Sequence, residues 1–139
     1  MTEAQPSTKR PDIDIERAIH NLYTRYPPMM HDRHRVKLQV EDGEVTVSGH
    51  IKSKITYQLL LQNLPTVAGI SAIHADKLYN DETIRFQVGR SVPVGMLVTV
   101  EYGAVVLSGR LPDDTNIEAL VAQIAKVPGV NRVLTTFQT

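Results

Sequence analysis

A serine followed by glycine occurs at equivalent places in two stretches, Ser48-Gly49 and Ser108-Gly109, and five histidines complete the residues suited to nucleophilic or acid–base chemistry. A serine nucleophile needs a base within hydrogen-bond reach and, in the hydrolase elbow, glycines on both sides in the pattern G-x-S-x-G. Thr46 and Val106 stand where the first of those glycines would be, and every histidine falls between residues 20 and 74, ahead of the second stretch. No serine–histidine pair is therefore repeated, and a serine at a strand end before a turn glycine accounts for both copies. His31-x-x-His34, with His50 further on, has the residue types of a metal site. Two histidines three apart beside Pro27-Pro28 are not held on one face of a helix or strand, so they read as solvated side chains and no metal is expected. Protonation of these groups near pH 6 would add positive charge to the first half only. Cysteine is absent, which removes disulfides and thiol chemistry. No phosphate-binding loop or dinucleotide fingerprint occurs. We expect a binding protein with no catalytic residues and no cofactor.

Charge narrows the ligands. Fifteen Lys plus Arg balance fifteen Asp plus Glu, so no global field favours nucleic acid, and any anionic partner must be met by a local patch. The N-terminus MTEAQPSTKRPD contains no apolar run of the kind that makes a signal peptide. Nothing further along approaches the roughly 18 apolar residues of a membrane span. As it stands the sequence reads as cytoplasmic and at most peripheral to a membrane.

The two serines belong to a longer echo. VEDGEVTVSGHI from Val40 to Ile51 is matched by VEYGAVVLSGRL from Val100 to Leu111, and a shift of sixty residues aligns Val36 to Leu78 with Met96 to Gln138 without a gap. Gly43/Gly103, Gly49/Gly109 and Gly69/Gly129 coincide, as do Leu60/Leu120 and Val67/Val127, while Ile51/Leu111, Leu64/Ile124 and Ile73/Val133 keep apolar character. A conserved buried periodicity under changed letters marks a duplicated module.

In each unit, alternating Val36, Leu38, Val40 and Val45, Val47 predict two half-buried strands around a turn at Asp42-Gly43. The copy runs Met96, Val98, Val100, a turn at Gly103, then Val105 and Leu107. A helix follows, with Ile117, Leu120, Val121, Ile124 and Ala125 at helical spacing and Thr115-x-x-Glu118 in the form of a capping box. Tyr57, Leu60, Leu61 and Leu64 are its counterpart. Gly69 and Gly129 are expected to end these helices, and β-branched runs follow. Upstream, Ile15, Ala18, Ile19 and Leu22 behind Asp12 and Asp14, and Ile84 and Val88 behind Asp81 and Glu82, predict shorter helices whose acidic starts suit the helix dipole. The order is αββαβ twice. The two-layer solution is an α+β fold of two tandem modules, each a three-stranded mixed sheet with two helices on one face. The expected boundaries are a disordered polar tail over residues 1–11, a first module over 12–79 and a second over 80–139.

This order resembles a tandem pair of BON domains, the module of bacterial osmotically induced and nodulation proteins. The resemblance rests on the phrase V-x-V-x-D-G-x-V-x-L-S-G followed by a helix and V-P-G-V. It spans nearly the whole chain after the tail. Glycines at the hairpin, at the strand end and before the last strand recur at fixed spacing in both copies. The resemblance implies a bacterial, membrane-associated binding protein with anionic phospholipid as ligand, and ties some members to osmotic stress or potassium responses. It places the lipid contact on the first helix of the second module, here DETIRFQVGRSV, with Arg85 and Arg90 as cations and Phe86 as a wedge.

Two differences between the units carry further expectations. Between the first helix and the hairpin, unit one has nine more residues, and they fall within the stretch RYPPMMHDRHRVK from Arg25 to Lys37. Met29 and Met30 followed by Arg33, Arg35 and Lys37 have the composition of a small anionic-lipid contact, worth about 1 kcal/mol per charge near a bilayer. An ordinary connecting loop is the other reading. Positions that alternate away from the core are Lys37, Thr46 and His74 in unit one but Leu97, Val106 and Leu134 in unit two. An outer sheet face open to water is normally polar. The second is therefore expected to be covered by the first unit, by a second copy in a homo-oligomer, or by another protein partner, in a purely protein-binding alternative to the lipid reading.

Overall fold

The computed structural model of the chain describes residues 9–138. Of the polar tail expected over residues 1–11, residues 1–8 lie outside the described residues. Lys9 pairs with Asp42 across 3.4 Å, and the Arg10 guanidinium donates to the Ala68 carbonyl.

Module 1 comprises α1 (Asp12–Thr24), α2 (Pro27–Asp32), a 3-10 turn at Arg33–Arg35, β1 (Val36–Glu41), β2 (Glu44–Ile51), α3 (Lys54–Asn63) and β3 (Ala72–Asn80). Module 2 comprises α4 (Asp81–Gly89), β4 (Met96–Glu101), β5 (Ala104–Arg110), α5 (Ile117–Ala125) and β6 (Arg132–Gln138). Each sheet has its middle strand antiparallel to the hairpin partner and parallel to the last strand, in the orders β1-β2-β3 and β4-β5-β6. The α+β architecture is the expected one, with α2 as an addition in module 1.

Each sheet buries one face under its helices, so there are two cores. Ile15 and Ile19 of α1 and Leu60 of α3 close over Val45, Val47 and Ile51 of β2, while Ile84 and Val88 of α4 and Leu120 and Ile124 of α5 close over Val105 and Leu107 of β5. These are the residues whose spacing of three and four on the helices, and two on the strands, sends them to one side. No linker separates the modules: Asn80 ends β3 and caps α4, its Oδ1 accepting from the Thr83 amide at 2.9 Å.

Both hairpin turns have positive φ at both central residues, Asp42 (54°) with Gly43 (80°) and Tyr102 (46°) with Gly103 (84°). That pairing matches the right-handed twist of the strands and sets their register. The register is the same in both hairpins, Val36 opposite Gly49 and Met96 opposite Gly109. The sheets differ at the last strand. A bulge between Thr46 and Ser48 in the β2–β3 pairing is missing from β5–β6, and β3 is the longer strand.

Three local expectations are corrected. Asn116, not Thr115, caps α5, its side-chain oxygen accepting from the Ala119 amide, because an Asn at the boundary reaches the third amide directly. Gly69 and Gly129 do not end helices: α3 and α5 stop at Asn63 and Ala125 with right-handed residues after them. The two glycines instead form the turns before β3 and β6. There the Ser71 and Asn131 amides donate to the Gly43 and Gly103 carbonyls, pinning each pre-strand turn to its hairpin.

Candidate functional site

The first repeated device is a carboxylate clamp. Asp12, the first residue of α1, accepts the amides of Asp42 and Gly43 at 2.8 and 3.0 Å, and Asp81, the first residue of α4, accepts those of Tyr102 and Gly103 at 2.7 and 3.1 Å. Each helix start thus holds the turn of its own hairpin, which orients helix against sheet. Burial pushes the Asp81 carboxyl above its usual range, and the two amides pull against that shift. The acidic residues read as dipole partners are therefore structural ligands of the turn. Spacing could not reveal this, since 31 residues separate Asp12 from Gly43 and 22 separate Asp81 from Gly103.

Those nine additional residues build the joint between the modules. They wind into α2, and Asp32 at its end is buried (2 % exposed). Its Oδ2 accepts the Lys52 amide at 3.0 Å, and its Oδ1 accepts the hydroxyl of Tyr102 at 2.7 Å, from the hairpin turn of module 2. The Arg35 guanidinium lies 4.8 Å from the centre of the Tyr102 ring, a cation–π contact, with Lys52 at 6.0 Å. Burial and the Asp32 carboxylate push the Tyr102 hydroxyl up to about 12. On the other side of the joint, His50 Nε2 lies 2.6 Å from the Gly129 carbonyl and so carries the proton, while its ring lies 5.7 Å from that of Tyr79. Tyr79 packs against the core of module 2. A tyrosine at positive φ is uncommon, and here the strained position is the one from which its hydroxyl reaches Asp32.

The joint revises the expected loop contact. Met29 is a core residue (3 % exposed), because α2 turns it onto Tyr23 and the module 1 core, and Met30 is half-buried against the same cluster. Arg33 donates to the Met30 carbonyl and Arg35 covers Tyr102, while both, like Lys37 on β1, remain exposed. The segment is an interface element, neither a plain connection nor a projecting pair of methionines. Of the histidines, His31 and His34 are exposed, whereas His50 is taken up by the joint, so the three do not converge. Among the described residues no group of three or more His, Cys, Asp or Glu is placed to hold a metal ion.

On the outer sheet faces the two modules diverge. In module 1, Gln39, Thr46 and His74 form one cross-strand row, and His74 Nε2 meets Glu44 Oε1 at 3.0 Å in the next. In module 2, Thr99, Val106 and Leu134 form the equivalent row, with Leu97, Ser108 and Thr136 beside it and Glu101, Ala104 and Arg132 on the other side. Leu97 is 64 % exposed and Leu134 45 %. Module 1 does not cover this face, which removes one of the three expected covers. The result is an apolar centre rimmed by hydroxyls and two charges, the layout of a modest protein interface.

The third surface is α4. Arg85, Phe86 and Arg90 are exposed, Phe86 to 68 %. The acidic residues at the start of that helix are occupied: Asp81 holds the hairpin turn, and Glu82 Oε1 accepts the Lys54 amide at 2.7 Å. The exposed side chains of α4 and its C-cap are thus Arg85, Phe86, Gln87 and Arg90 together with the engaged Glu82. No helix among the described residues is long and apolar enough to cross a membrane.

Comparison with known proteins locates this architecture. Residues 80–138, the whole of module 2 from its capping asparagine onward, match the BON domain family model. Among solved structures, the chain is similar to the C-terminal domain of CdsD, the structural protein of the type III secretion system of Chlamydia trachomatis. The TM-score is 0.73 at 17 % identity, covering 92 % of this chain and 66 % of that one. A second structure of CdsD from the same organism gives a TM-score of 0.70 at 16 % identity, covering 92 % and 63 %. The chain therefore spans just under two thirds of the length of these neighbours, and at such identity the likeness is one of fold. No curated protein matches the sequence. The family match falls on module 2, whose hairpin, clamp and pre-strand turn module 1 reproduces in structure.

Proposed function

We propose that the chain is a non-catalytic adaptor of two BON-type modules that associates with a second copy of itself through the outer face of the second sheet. The observation that carries this reading is an apolar centre in which exposed Leu97 and Leu134 accompany half-buried Val106, at positions that are polar or charged in module 1. The rim favours a second copy over an unrelated partner. Glu101 and Arg132 flank Ala104 in one row, on opposite edges of the sheet. A twofold axis lying in the interface along the strands sets β4 of one copy over β6 of the other. Each Glu101 then meets Arg132 of the second copy, and the same patch serves on both sides, as an isologous contact requires. The assembly role carried by the name of the CdsD neighbour is compatible with this reading.

The face is small against the 1,200 Å² or so that ordinary stable complexes bury, so the association is weak and concentration-dependent. Light scattering after size exclusion, over about 10 µM to about 1 mM, is expected to show the mass rising toward twice the chain mass. Val106→Lys sets a charge at the centre of the face and should hold the protein at the monomer mass with its melting temperature little changed. A wild type that stays monomeric throughout the range would sink the proposal.

Anionic phospholipid is the second reading, favoured by Phe86 at 68 % exposure between Arg85 and Arg90 on a helix whose Asp81 is buried and whose Glu82 is held by the Lys54 amide. Co-sedimentation with phosphatidylglycerol vesicles at low salt is expected to retain wild type and to release Arg85→Glu plus Arg90→Glu, since two reversed charges cost roughly 4 kcal/mol near the surface. Equal retention of both proteins would remove α4 from consideration.

A further inference from the structure

Module 1 holds a pocket of about 240 Å³ between α1, α2 and α3, walled by Leu22, Tyr23, Tyr26, Met29 and Leu60 among others. Tyr23 is 2 % exposed, and no group among the described residues bonds its buried hydroxyl. Of the other polar side chains of the wall, Thr56 Oγ1 accepts from Ser53, the Asn63 amide donates to the Leu59 carbonyl, Arg25 is exposed and Tyr26 is half-buried. Burial pushes the Tyr23 hydroxyl up to about 12, so at neutral pH it keeps its proton and is a donor.

The repeat shows that the fold does not need this group. Aligning the clamp residues Asp12 and Asp81 brings Ile15 onto Ile84, Ile19 onto Val88 and Tyr23 onto Val92. Where module 2 manages with a valine, module 1 places a hydroxyl at the expense of an unmet hydrogen bond. Met29 comes from the inserted residues, and Tyr26 immediately precedes them. The insertion thus makes both the joint and the pocket.

We infer that the pocket binds a small, uncharged, mainly apolar molecule bearing one acceptor oxygen, which takes the hydrogen bond of Tyr23. Its size is bounded: an apolar cavity of about 150 Å³ suffices for benzene, so 240 Å³ suits a substituted ring or an aliphatic chain of similar bulk. A charged head is disfavoured, since the buried groups of the lining are uncharged, Tyr23 among them, and its one charged residue, Arg25, is exposed.

The test uses the full chain with acetophenone, which carries an acceptor, and ethylbenzene, which has nearly the same shape without one. Amide shifts at the pocket residues are followed by NMR during titration. Wild type is expected to bind acetophenone about fivefold more tightly than ethylbenzene, the scale of one net hydrogen bond. Tyr23→Phe should erase that preference while still binding ethylbenzene, and should melt no lower than wild type because it loses an unmet donor. Failure of both probes to shift the pocket amides, an unchanged preference in Tyr23→Phe, or a lowered melting temperature for that variant would each overturn the inference.

Discussion

Gly49→Ala is expected to lower the unfolding free energy by about 4 kcal/mol, the largest single-residue effect in the chain. Gly49 has φ of +117°, where a side chain is strained, and a Cβ there would overlap the carbonyl oxygen of Arg35 and crowd Val36 Cα at 3.2 Å. These are backbone atoms at the junction of the inserted segment with β1, so they cannot swing aside as a side-chain end would. Both strain and overlap fall on the register pair Val36–Gly49 that starts the sheet. The control is Gly89→Ala in α4, where nothing lies within 4 Å of a new Cβ and φ is not positive. It should raise stability by about 0.5–1 kcal/mol, because alanine costs less entropy in a helix. Urea unfolding followed by circular dichroism separates the two, with midpoints moving in opposite directions.

Asp32→Ala should be the next most damaging change, at about 2–4 kcal/mol. It strips a buried acceptor from the Lys52 amide and from the Tyr102 hydroxyl together. The joint then keeps His50, Tyr79, the Asn80 cap, the Lys54–Glu82 hydrogen bond and the cations over the Tyr102 ring, without its buried carboxylate. Wild type should unfold in a single calorimetric transition, whereas Asp32→Ala should split into two as the modules uncouple. Tyr102→Phe keeps the strained turn and loses only the hydroxyl, so it should be the milder variant. The joint also sets an alkaline limit. The folded-state value for Tyr102, about 12, lies above the unfolded value of 10.0, so folding favours its protonated form. That contribution is complete below pH 10 and is lost as pH rises from 10 toward 12. Tyr102→Phe should flatten this part of the pH–stability curve and remove a late component from the absorbance titration of the tyrosines.

The architecture was legible because both cores are written in periods. Val45 and Val47, and Ile15 and Ile19, are buried for the reasons their spacing gives, and the sixty-residue shift made each module check the other. The outer face of the second sheet was legible by the same comparison, since strand alternation decides which side Val106 faces. The clamp and the joint were not. Asp12 finds Gly43, and Asp32 finds Tyr102, across intervals of 31 and 70 residues with no local pattern to announce them. Met29 misled because a six-residue helix is too short for a periodic signal, and Met-Met beside Arg reads as exposed unless the helix that turns it inward is known. Gly69 and Gly129 were expected to end helices but stand at the entrance to strands, because proximity to a helix in sequence does not say which end of the loop needs the positive φ.

The account rests most heavily on the outer face of module 2 as a self-complementary surface, and sedimentation equilibrium of reciprocal charge variants tests it most directly. Glu101→Arg and Arg132→Glu each bring like charges together twice across the proposed twofold axis, and each alone should shift the protein to monomer at concentrations where wild type dimerises. The double variant Glu101→Arg plus Arg132→Glu restores opposite charges and should recover the dimer, with a salt dependence like that of wild type. Dimerisation indifferent to all three variants, or no dimer in any of them, would contradict the account.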